Sequence, residues 1–246
     1  MSSNIFGTAG SDNRILVVDF GAQYAQLIAR RVRESNVYSE IVPYELDAES
    51  FADLKPSGII FSGGPTSVNV EGAPKIDPGI YDLGVPILGI CYGAQLIAQQ
   101  NGGSVEGNEK GEYGRTVVNV NQAGILLSDF ETSTQQVWMS HFDSITSPPE
   151  GATVTASSDG SPVAVFEEPN KGLFGVQFHP EVHHTPCGKD LLKRFIYDVC
   201  GCPNNWNMAS VVESSVMGIK EIVGDKKAIC GLSGGVDSAV AAALVH

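Results

Sequence analysis

Short apolar segments alternate with amphipathic segments along the first part of the chain. Residues 24–35 and 92–100 carry apolar side chains at helical spacing, and residues 51–54 predict a shorter helix. The intervening apolar runs predict buried strands at residues 14–19, 38–42, 58–62 and 86–90. Strands that alternate with helices indicate a parallel sheet that is covered by helices on both faces.

The pattern changes after residue 100. Turn residues there separate five predicted strands, at residues 117–120, 136–140, 154–156, 163–167 and 173–178. This spacing favours an antiparallel addition to the sheet, and a helical stripe at residues 187–199 would close the domain. We therefore expect an α/β domain at residues 14–200 with a mixed, mostly parallel sheet flanked by helices. A disordered tail is expected before it, at residues 1–13.

A second domain is expected near the C-terminal end. Residues 201–226 predict a linker and a connecting helix. Residues 227–232 then predict a strand, residues 233–238 a glycine-rich loop, and residues from 239 onwards a helix. Because a single strand–loop–helix unit cannot bury its own apolar surface, residues 227–246 are expected to be the truncated start of a second α/β domain.

Composition indicates which binding partners and which cellular compartment to expect. The 246 residues include 15 basic and 28 acidic side chains, which gives a formal net charge of −13. Because an acidic chain repels the phosphate backbone, no nucleic-acid partner is expected. No apolar run approaches the roughly 20 residues that span a bilayer, and no signal-peptide pattern is present. Five sparse cysteines do not suggest a disulfide framework, so we expect a cytoplasmic protein without membrane contact.

Cys91 occupies the corner between a predicted strand and a predicted helix. Gly89 and Gly93 flank it, and glycine permits the sharp turn that holds a nucleophile at the end of a strand. The N-terminus of the following helix favours a thiolate, and its free N–H groups can stabilise an oxyanion. On this pattern alone, Cys91 is either a nucleophile or a small buried apolar residue.

His179 and Glu181 are candidate partners for Cys91. Pro180 favours extended backbone at His179, and side chains two residues apart in an extended segment point to the same side. Glu181 could then hold the imidazole in one tautomer, as in other nucleophile–base–orienter arrangements. In isolation this pair is more typical of a structural histidine and a solvated glutamate. Together with the Cys91 corner, it predicts a catalytic triad.

Four sequence blocks resemble the class I (triad) glutamine amidotransferases, and specifically the glutaminase domains of the GMP synthase family. They read FSGGP at residues 61–65, LGICYGAQ at 88–95, VWMSHFD at 137–143 and GVQFHPEV at 175–182. The resemblance runs from about residue 15 to residue 200, in the family's order. It implies a flavodoxin-like fold that hydrolyses glutamine to glutamate and ammonia through a γ-glutamyl thioester on Cys91, with no cofactor.

The resemblance also implies roles for individual residues. His179 would protonate the leaving ammonia and then activate water, while Glu181 orients His179. The backbone N–H groups of Gly64 and Tyr92 would form the oxyanion hole, and no metal is implied in this domain. The implied glutamine-binding residues are Gly63, Gly64, Gln95, Ser140, His141, Phe142 and Asp143. Many relatives carry glycine where this chain has Phe142.

The sequence SGGVDS at residues 233–238 resembles the pyrophosphate loop of ATP pyrophosphatases. Glycines, hydroxyls and a helix N-terminus suit a phosphate, although an ordinary glycine-rich turn is the alternative. The resemblance implies a partial ATP site made of Ser233, Gly234, Gly235, Val236, Asp237 and Ser238, with Asp237 near Mg²⁺ or a phosphate. In the GMP synthase family this second domain adenylates XMP with ATP and Mg²⁺, and ammonia then displaces AMP to give GMP. The XMP site and most of the ATP site would lie beyond His246, and the full-length form would be a homodimer.

Two other functions are compatible with parts of the sequence. A docking domain could bind glutamine or a synthetase without turnover, but the intact Cys91, His179 and Glu181 argue against it. A cysteine hydrolase of similar fold could act on peptides or thioesters, but the blocks at residues 137–143 and 233–238 argue against that.

Three further clusters are interpreted as structural. The group of His179, His183, His184 and Cys187 matches no common zinc spacing. Cys200 and Cys202 lack the Cys-x-x-Cys spacing of redox motifs. A third cluster is expected on a solvated helix face; it consists of Arg30, Arg31 and Arg33.

Overall fold

The computed structural model describes residues 13–22, 24–128 and 133–245. The chain divides into a large compact unit that ends at Asn204 and a small one that continues from Asn205. The large unit thus extends past residue 200, because Cys202 is buried in its core. The predicted disordered tail lies outside the described residues except for Asn13.

Five strands of the large unit are mutually parallel and short. In β1, Ile15 and Val17 belong to one core cluster while Leu16 and Val18 belong to the other. Both faces of the sheet are therefore buried there, which explains why the inner strands are mostly apolar instead of alternating, whereas the edge strand β2 contains Ser39 and Glu40. The parallel strands are β1 (Arg14–Asp19), β2 (Tyr38–Pro43), β3 (Gly58–Phe61), β4 (Ile87–Ile90) and β9 (Leu173–Val176).

Four antiparallel strands extend the sheet. They are β5 (Ser104–Val120), β6 (Thr134–Ser147), β7 (Thr153–Ser157) and β8 (Val165–Glu168). The order across the sheet is β2-β1-β3-β4-β9-β8-β7-β5-β6. The predicted mixed sheet is confirmed, but β5 begins 13 residues before the predicted start at residue 117. Its first part is mostly polar and is held by pairing with β6, so hydrophobic periodicity did not reveal it.

Helices cover both faces of the sheet in the large unit. Buried side chains of α1 (Ala25–Glu34) and α4 (Gly188–Arg194) belong to one core cluster, and those of α2 (Ala48–Asp53) and α3 (Tyr92–Gln100) to the other. A 3₁₀ turn at Pro78–Asp82 and a π-helical turn at Phe195–Val199 complete these layers. The predicted helix at residues 187–199 is therefore α4 followed by the π-helical turn.

The small unit contains two helices, α5 (Met208–Val223) and α6 (Val236–Val245). The predicted connecting helix is confirmed as α5. The predicted strand at residues 227–232 is wrong, because this segment is irregular and Ile229 is fully exposed. A strand needs a hydrogen-bonded neighbour, and no described strand pairs with this segment. The last helix begins at Val236, three residues before the predicted start.

Candidate active site

Cys91 lies where β4 turns into α3, as the sequence predicts. Its backbone has φ 51° and ψ −107°, an uncommon conformation for a residue with a side chain. The turn is tight enough that a Cβ atom on Gly93 would lie 2.6 Å from the carbonyl oxygen of Phe61. Glycine at position 93 therefore allows the start of α3 to pack directly on β3.

Hydrogen bonds on both sides fix the Cys91 backbone. Its N–H donates to the carbonyl of Val176 at 2.8 Å, and its carbonyl accepts from the N–H of Gln95 at 3.0 Å. The Sγ atom lies 3.8 Å from the carbonyl oxygen of Ser140 and 4.0 Å from Nε2 of Gln177. The side chain thus faces the junction of three strands: β4, β6 and the end of β9.

His179 and Glu181 follow β9 and lie beside Cys91. The Nδ1 atom of His179 is 2.8 Å from Oε1 of Glu181, and both side chains are buried. Burial disfavours the imidazolium, but hydrogen bonds with Cys91 and with Glu181 outweigh it and raise the pKa of His179 well above its ordinary value. The structure therefore brings the three predicted triad residues together.

Thr185 and Arg31 hold the triad segment, and sequence reasoning missed both. The Thr185 hydroxyl donates to the carbonyl of His179 at 2.7 Å and accepts from the N–H of Trp138 at 2.9 Å. The Nε atom of Arg31 donates to the carbonyl of Glu181 at 2.9 Å. Thr185 thereby ties His179 to β6, and Arg31 ties Glu181 to α1.

The predicted solvated helix face is therefore wrong for two of its three arginines. Arg31 is only 28% exposed, and the guanidinium of Arg33 donates to the carbonyl of Ser39 at 2.8 Å. Arg30 is 72% exposed and pairs only with Glu34, as predicted for a solvated face. The three arginines in the sequence did not show which of them would donate to a backbone carbonyl outside their own helix.

A cavity of about 380 Å³ opens beside Cys91. It brings Cys91 together with both predicted oxyanion-hole residues and with six of the seven predicted glutamine-binding residues, Gly64 being in both sets. Its lining consists of Gly64, Pro65, Thr66, Ser67, Cys91, Tyr92, Gln95, Tyr113, Ser140, His141, Phe142 and Asp143. Sequence reasoning missed Thr66, Ser67 and Tyr113, which have no motif of their own. Gly63 does not line the cavity but lies against the ring of His179.

The loop after β3 places Gly64 against Tyr92. The Ser62 hydroxyl accepts from the N–H of Phe20 at 3.1 Å and donates to the carbonyl of Gly63 at 2.9 Å. A Cβ atom on Gly64 would lie 2.6 Å from the ring of Tyr92. Only glycine lets this backbone approach the start of α3 so closely.

Gln95 connects α3 to β6 at the cavity wall. Its Nε2 atom donates to the carbonyl of Asp143 at 2.7 Å and lies 3.4 Å from Oε1 of Gln177. Gln177, which is fully buried, thus contacts both Gln95 and Cys91. The sequence block at 175–182 contained Gln177, but nothing in the sequence indicated these contacts.

Residues 140–143 of β6 alternate between solvent and interior. Ser140 and Phe142 are exposed, whereas His141 and Asp143 are buried. Asp143 lines the cavity, and its buried Oδ2 atom has no hydrogen-bond partner in the described structure. A carboxylate in the cavity lining is suited to a cationic group of a ligand.

Residues 233–238 form a compact turn at the start of α6. The hydroxyl oxygens of Ser233 and Ser238 lie 3.0 Å apart, and Gly234 has φ +83°. Asp237 is in the first turn of α6. The predicted glycine-rich loop and helix start are therefore present, although the predicted strand before them is not.

Other predicted clusters do not form a site in the described chain. Across residues 13–22, 24–128 and 133–245, no group of three or more His, Cys, Asp or Glu side chains is placed to hold a metal ion. His183 and His184 are exposed, while Cys187 is buried. Over the same residues, no helix has the length and apolar character needed to cross a membrane.

Sequence comparison identifies the class of protein to which this fold and this site belong. Residues 16–199 match the family model described as glutamine amidotransferase class-I. This chain belongs to the class I glutamine amidotransferases.

Curated relatives that it matches include GMP synthases (glutamine-hydrolysing). The chain is 55% identical to that of Thermobifida fusca over 232 residues, which cover 94% of this chain and 44% of the relative. It is 51% identical to that of Ruminiclostridium cellulolyticum over 236 residues, with coverages of 96% and 46%. The chain therefore spans slightly less than half the length of these relatives.

Solved structures agree with the fold. A Thermoplasma acidophilum protein described as a GMP synthase subunit superposes with a TM-score of 0.68 at 34% identity, covering 76% of this chain and 94% of that one. A Thermotoga maritima glutamine amidotransferase superposes with a TM-score of 0.61 at 19% identity, covering 78% and 99%. The second likeness supports the fold alone.

Proposed function

We propose that this chain is the glutaminase part of a glutamine-hydrolysing GMP synthase. The observation that carries the proposal is the contact of Cys91 with the buried His179–Glu181 pair beside a cavity lined by Gly64, Tyr92 and Gln95. The high identity to GMP synthases over nearly the whole chain supports the same assignment.

The first half-reaction breaks the side-chain amide of glutamine. The Cys91 sulfur attacks the amide carbon while His179 carries the proton that the thiol has lost. The tetrahedral oxyanion is stabilised by the backbone N–H groups of Gly64 and Tyr92. The C–N bond then breaks, His179 gives its proton to the nitrogen, and ammonia leaves a γ-glutamyl thioester.

The second half-reaction releases glutamate. His179 takes a proton from water, and the resulting hydroxide attacks the thioester carbon. The C–S bond breaks, and the thiolate of Cys91 returns beside the His179 imidazolium. Glu181 bonds Nδ1 throughout, so the Nε2 atom of His179 is the one that exchanges protons with Cys91, ammonia and water.

The cavity is suited to the amino-acid end of glutamine. The carboxylate of Asp143, which lines the cavity, would accept from the α-ammonium group. Oε1 of Gln95 is available as an acceptor because its Nε2 already donates to the Asp143 carbonyl. The backbone of Ser140, His141 and Phe142 would border the same ligand. Gly63 would contribute by allowing His179 to pack closely, not by contacting the cavity.

The ammonia would be used by a synthetase domain. We assign residues 14–204 to the amidotransferase domain, four residues more than the sequence predicts, 205–226 to a linker and helix, and 227–246 to the start of an ATP pyrophosphatase domain. The donors at residues 233–238 are of the right kind for phosphate: two hydroxyls, glycine backbone and the start of a ten-residue helix. ATP and Mg²⁺ would activate XMP there, and ammonia would convert the adenylate to GMP.

The cellular setting follows from this assignment. We place the enzyme in the cytoplasm, as a homodimer in its full-length form, with no nucleic-acid or membrane partner. Five free cysteines and a net charge of −13 support this placement.

Glutamate release tests the proposal directly. Purified chain mixed with glutamine should release glutamate slowly, and Cys91→Ala should release none. If neither chain releases glutamate, even with a synthetase domain of a relative, ATP and XMP added, only a docking role is left. If Cys91→Ala is as active as the original chain, Cys91 is not the nucleophile. Hydrolysis of peptides or thioesters in preference to glutamine would indicate the alternative hydrolase.

A further inference from the structure

Glu112 lies one strand away from the cavity and was not indicated by any motif. It pairs with His141 across the β5–β6 ladder, after a register shift between Gly107 and Glu112. Gly111, in that shift, has φ +58°, and a Cβ atom there would lie 2.9 Å from the carbonyl of His141. The irregular pairing therefore brings Glu112 inward, where its side chain is only 10% exposed.

Four donors surround the Glu112 carboxylate. The Ser158 hydroxyl lies 2.8 Å from Oε1, the Ser161 hydroxyl 2.8 Å from Oε2, and the N–H of Gly160 3.3 Å from Oε1. The Nε2 atom of His141 is 3.3 Å from Oε2. Burial opposes ionisation, but the hydrogen bonds from His141 and the two serines outweigh it and lower the pKa of Glu112 to about 2.

Both ring nitrogens of His141 have polar partners. Nδ1 lies 2.9 Å from the carbonyl oxygen of Asp143, which can only accept, so Nδ1 carries a hydrogen. Nε2 faces the Glu112 carboxylate and the Ser161 hydroxyl oxygen at 3.3 Å. That hydroxyl also lies 2.8 Å from Oε2 of Glu112, so the ring, the serine and the carboxylate form one cluster.

The cluster takes the place of water around the ring, because the His141 side chain is only 2% exposed. The ionisable groups near the ring are Glu112 on β5 and Asp143 on β6, while Asp159 in the neighbouring turn is exposed. The Nε2 edge of the ring is therefore held by Glu112 and Ser161.

The cluster matters because His141 supports the cavity wall. Its Nδ1–H and the Nε2–H of Gln95 both donate to the carbonyl of Asp143. The backbone of Asp143 is therefore held from β6 and from α3 at the point where this residue lines the cavity. We propose that Glu112 is a positioning residue for the glutamine site: its carboxylate holds the His141 ring, and the ring holds Asp143.

This inference rests on the proposed glutaminase function, but its first measurement does not. Glu112→Gln keeps the size of the side chain and replaces one acceptor oxygen by an NH₂ group, whereas Glu112→Asp keeps the carboxylate. Glu168→Gln is the matched control, because Glu168 is also buried but lies on β8 and accepts from the N–H of Asn170. All four chains are first compared by thermal unfolding.

The first measurement is amide hydrogen exchange at residues 140–143. Exchange there should accelerate about fivefold or more in Glu112→Gln alone, because the His141 ring loses its carboxylate partner. Unchanged exchange in Glu112→Gln would overturn the inference.

The second measurement is glutaminase kinetics. Glu112→Gln should raise KM for glutamine about tenfold with kcat changed less than about threefold, because binding geometry is lost while the triad is kept. Glu168→Gln should match the original chain. A fall in kcat at constant KM would contradict a positioning role at the substrate. If the original chain releases no glutamate, the proposed function fails, and hydrogen exchange still decides whether Glu112 holds residues 140–143.

Discussion

The Nδ1 atom of His179 lies 2.8 Å from Oε1 of Glu181, and the second oxygen of that carboxylate is buried without a hydrogen-bond partner in the described structure. Glu181 thus directs its bonding to one atom of one ring. This leaves the opposite nitrogen of His179 for the hydrogen bond with Cys91 that raises the pKa of the imidazole. A single fixed tautomer is what the alternating acid and base steps require.

Replacing Glu181 by glutamine should impair chemistry more than binding. The amide could present its N–H₂ group to Nδ1 and favour the wrong tautomer, which in a comparable triad lowers kcat by about 10⁴-fold. We expect kcat for glutamate release to fall at least about 10²-fold, with KM changed little. An activity within threefold of the original chain would show that Glu181 does not orient His179.

Removal of Arg31 should have a smaller effect on the same step. Arg31 donates to the carbonyl of Glu181, so Arg31→Ala should let the Glu181 segment shift and lower kcat about tenfold. Arg30→Ala is the matched control, since Arg30 belongs to the same helix but contacts only Glu34 there. Equal activities of the two variants would show that the Arg31 contact has no part in orienting the triad.

Substitution of Gly64 should block the oxyanion hole. A Cβ atom in Gly64→Ala would lie 2.6 Å from the Tyr92 ring, so the two backbone N–H groups must move apart. We expect kcat to fall about 10²-fold, as when an oxyanion donor is lost. Gly231→Ala is the control, because nothing lies within 4 Å of a Cβ atom there. Full activity of Gly64→Ala would exclude this loop from transition-state stabilisation.

The ionised Glu112 should make stability sensitive to acid. Its folded-state pKa of about 2 lies below the ordinary value of 4.5, so the carboxylate stabilises the folded chain above pH 4.5. That contribution is lost as the pH falls from 4.5 towards about 2, because the unfolded chain then binds the proton more readily. Urea unfolding at several pH values should show a shallower loss in Glu112→Gln than in the original chain. If the free energy of unfolding falls equally with pH in both chains, the lowered pKa of Glu112 is contradicted.

The strands and helices that could be predicted are those whose structure is determined by their own residues. Apolar runs identified the four inner parallel strands, because strands buried on both faces carry mostly apolar side chains. The glycines around Cys91 identified the strand–helix corner. The first part of β5 could not be predicted in this way, since it is polar and is held by β6. The strand predicted at residues 227–232 was wrong because apolar composition does not supply a pairing neighbour.

The features of the candidate site also fall into those that the sequence predicts and those that only the structure shows. The sequence by itself determined the chemical groups and their local geometry: the thiol at a tight corner, the His179–Glu181 spacing and the glycines that permit close approach. Only the tertiary structure decided which distant groups support them, namely Arg31 at Glu181, Thr185 at His179 and Glu112 at His141. These contacts join residues far apart in the chain through backbone carbonyls and buried charges. They depend on how strands and helices pack, and no short sequence pattern predicts that packing.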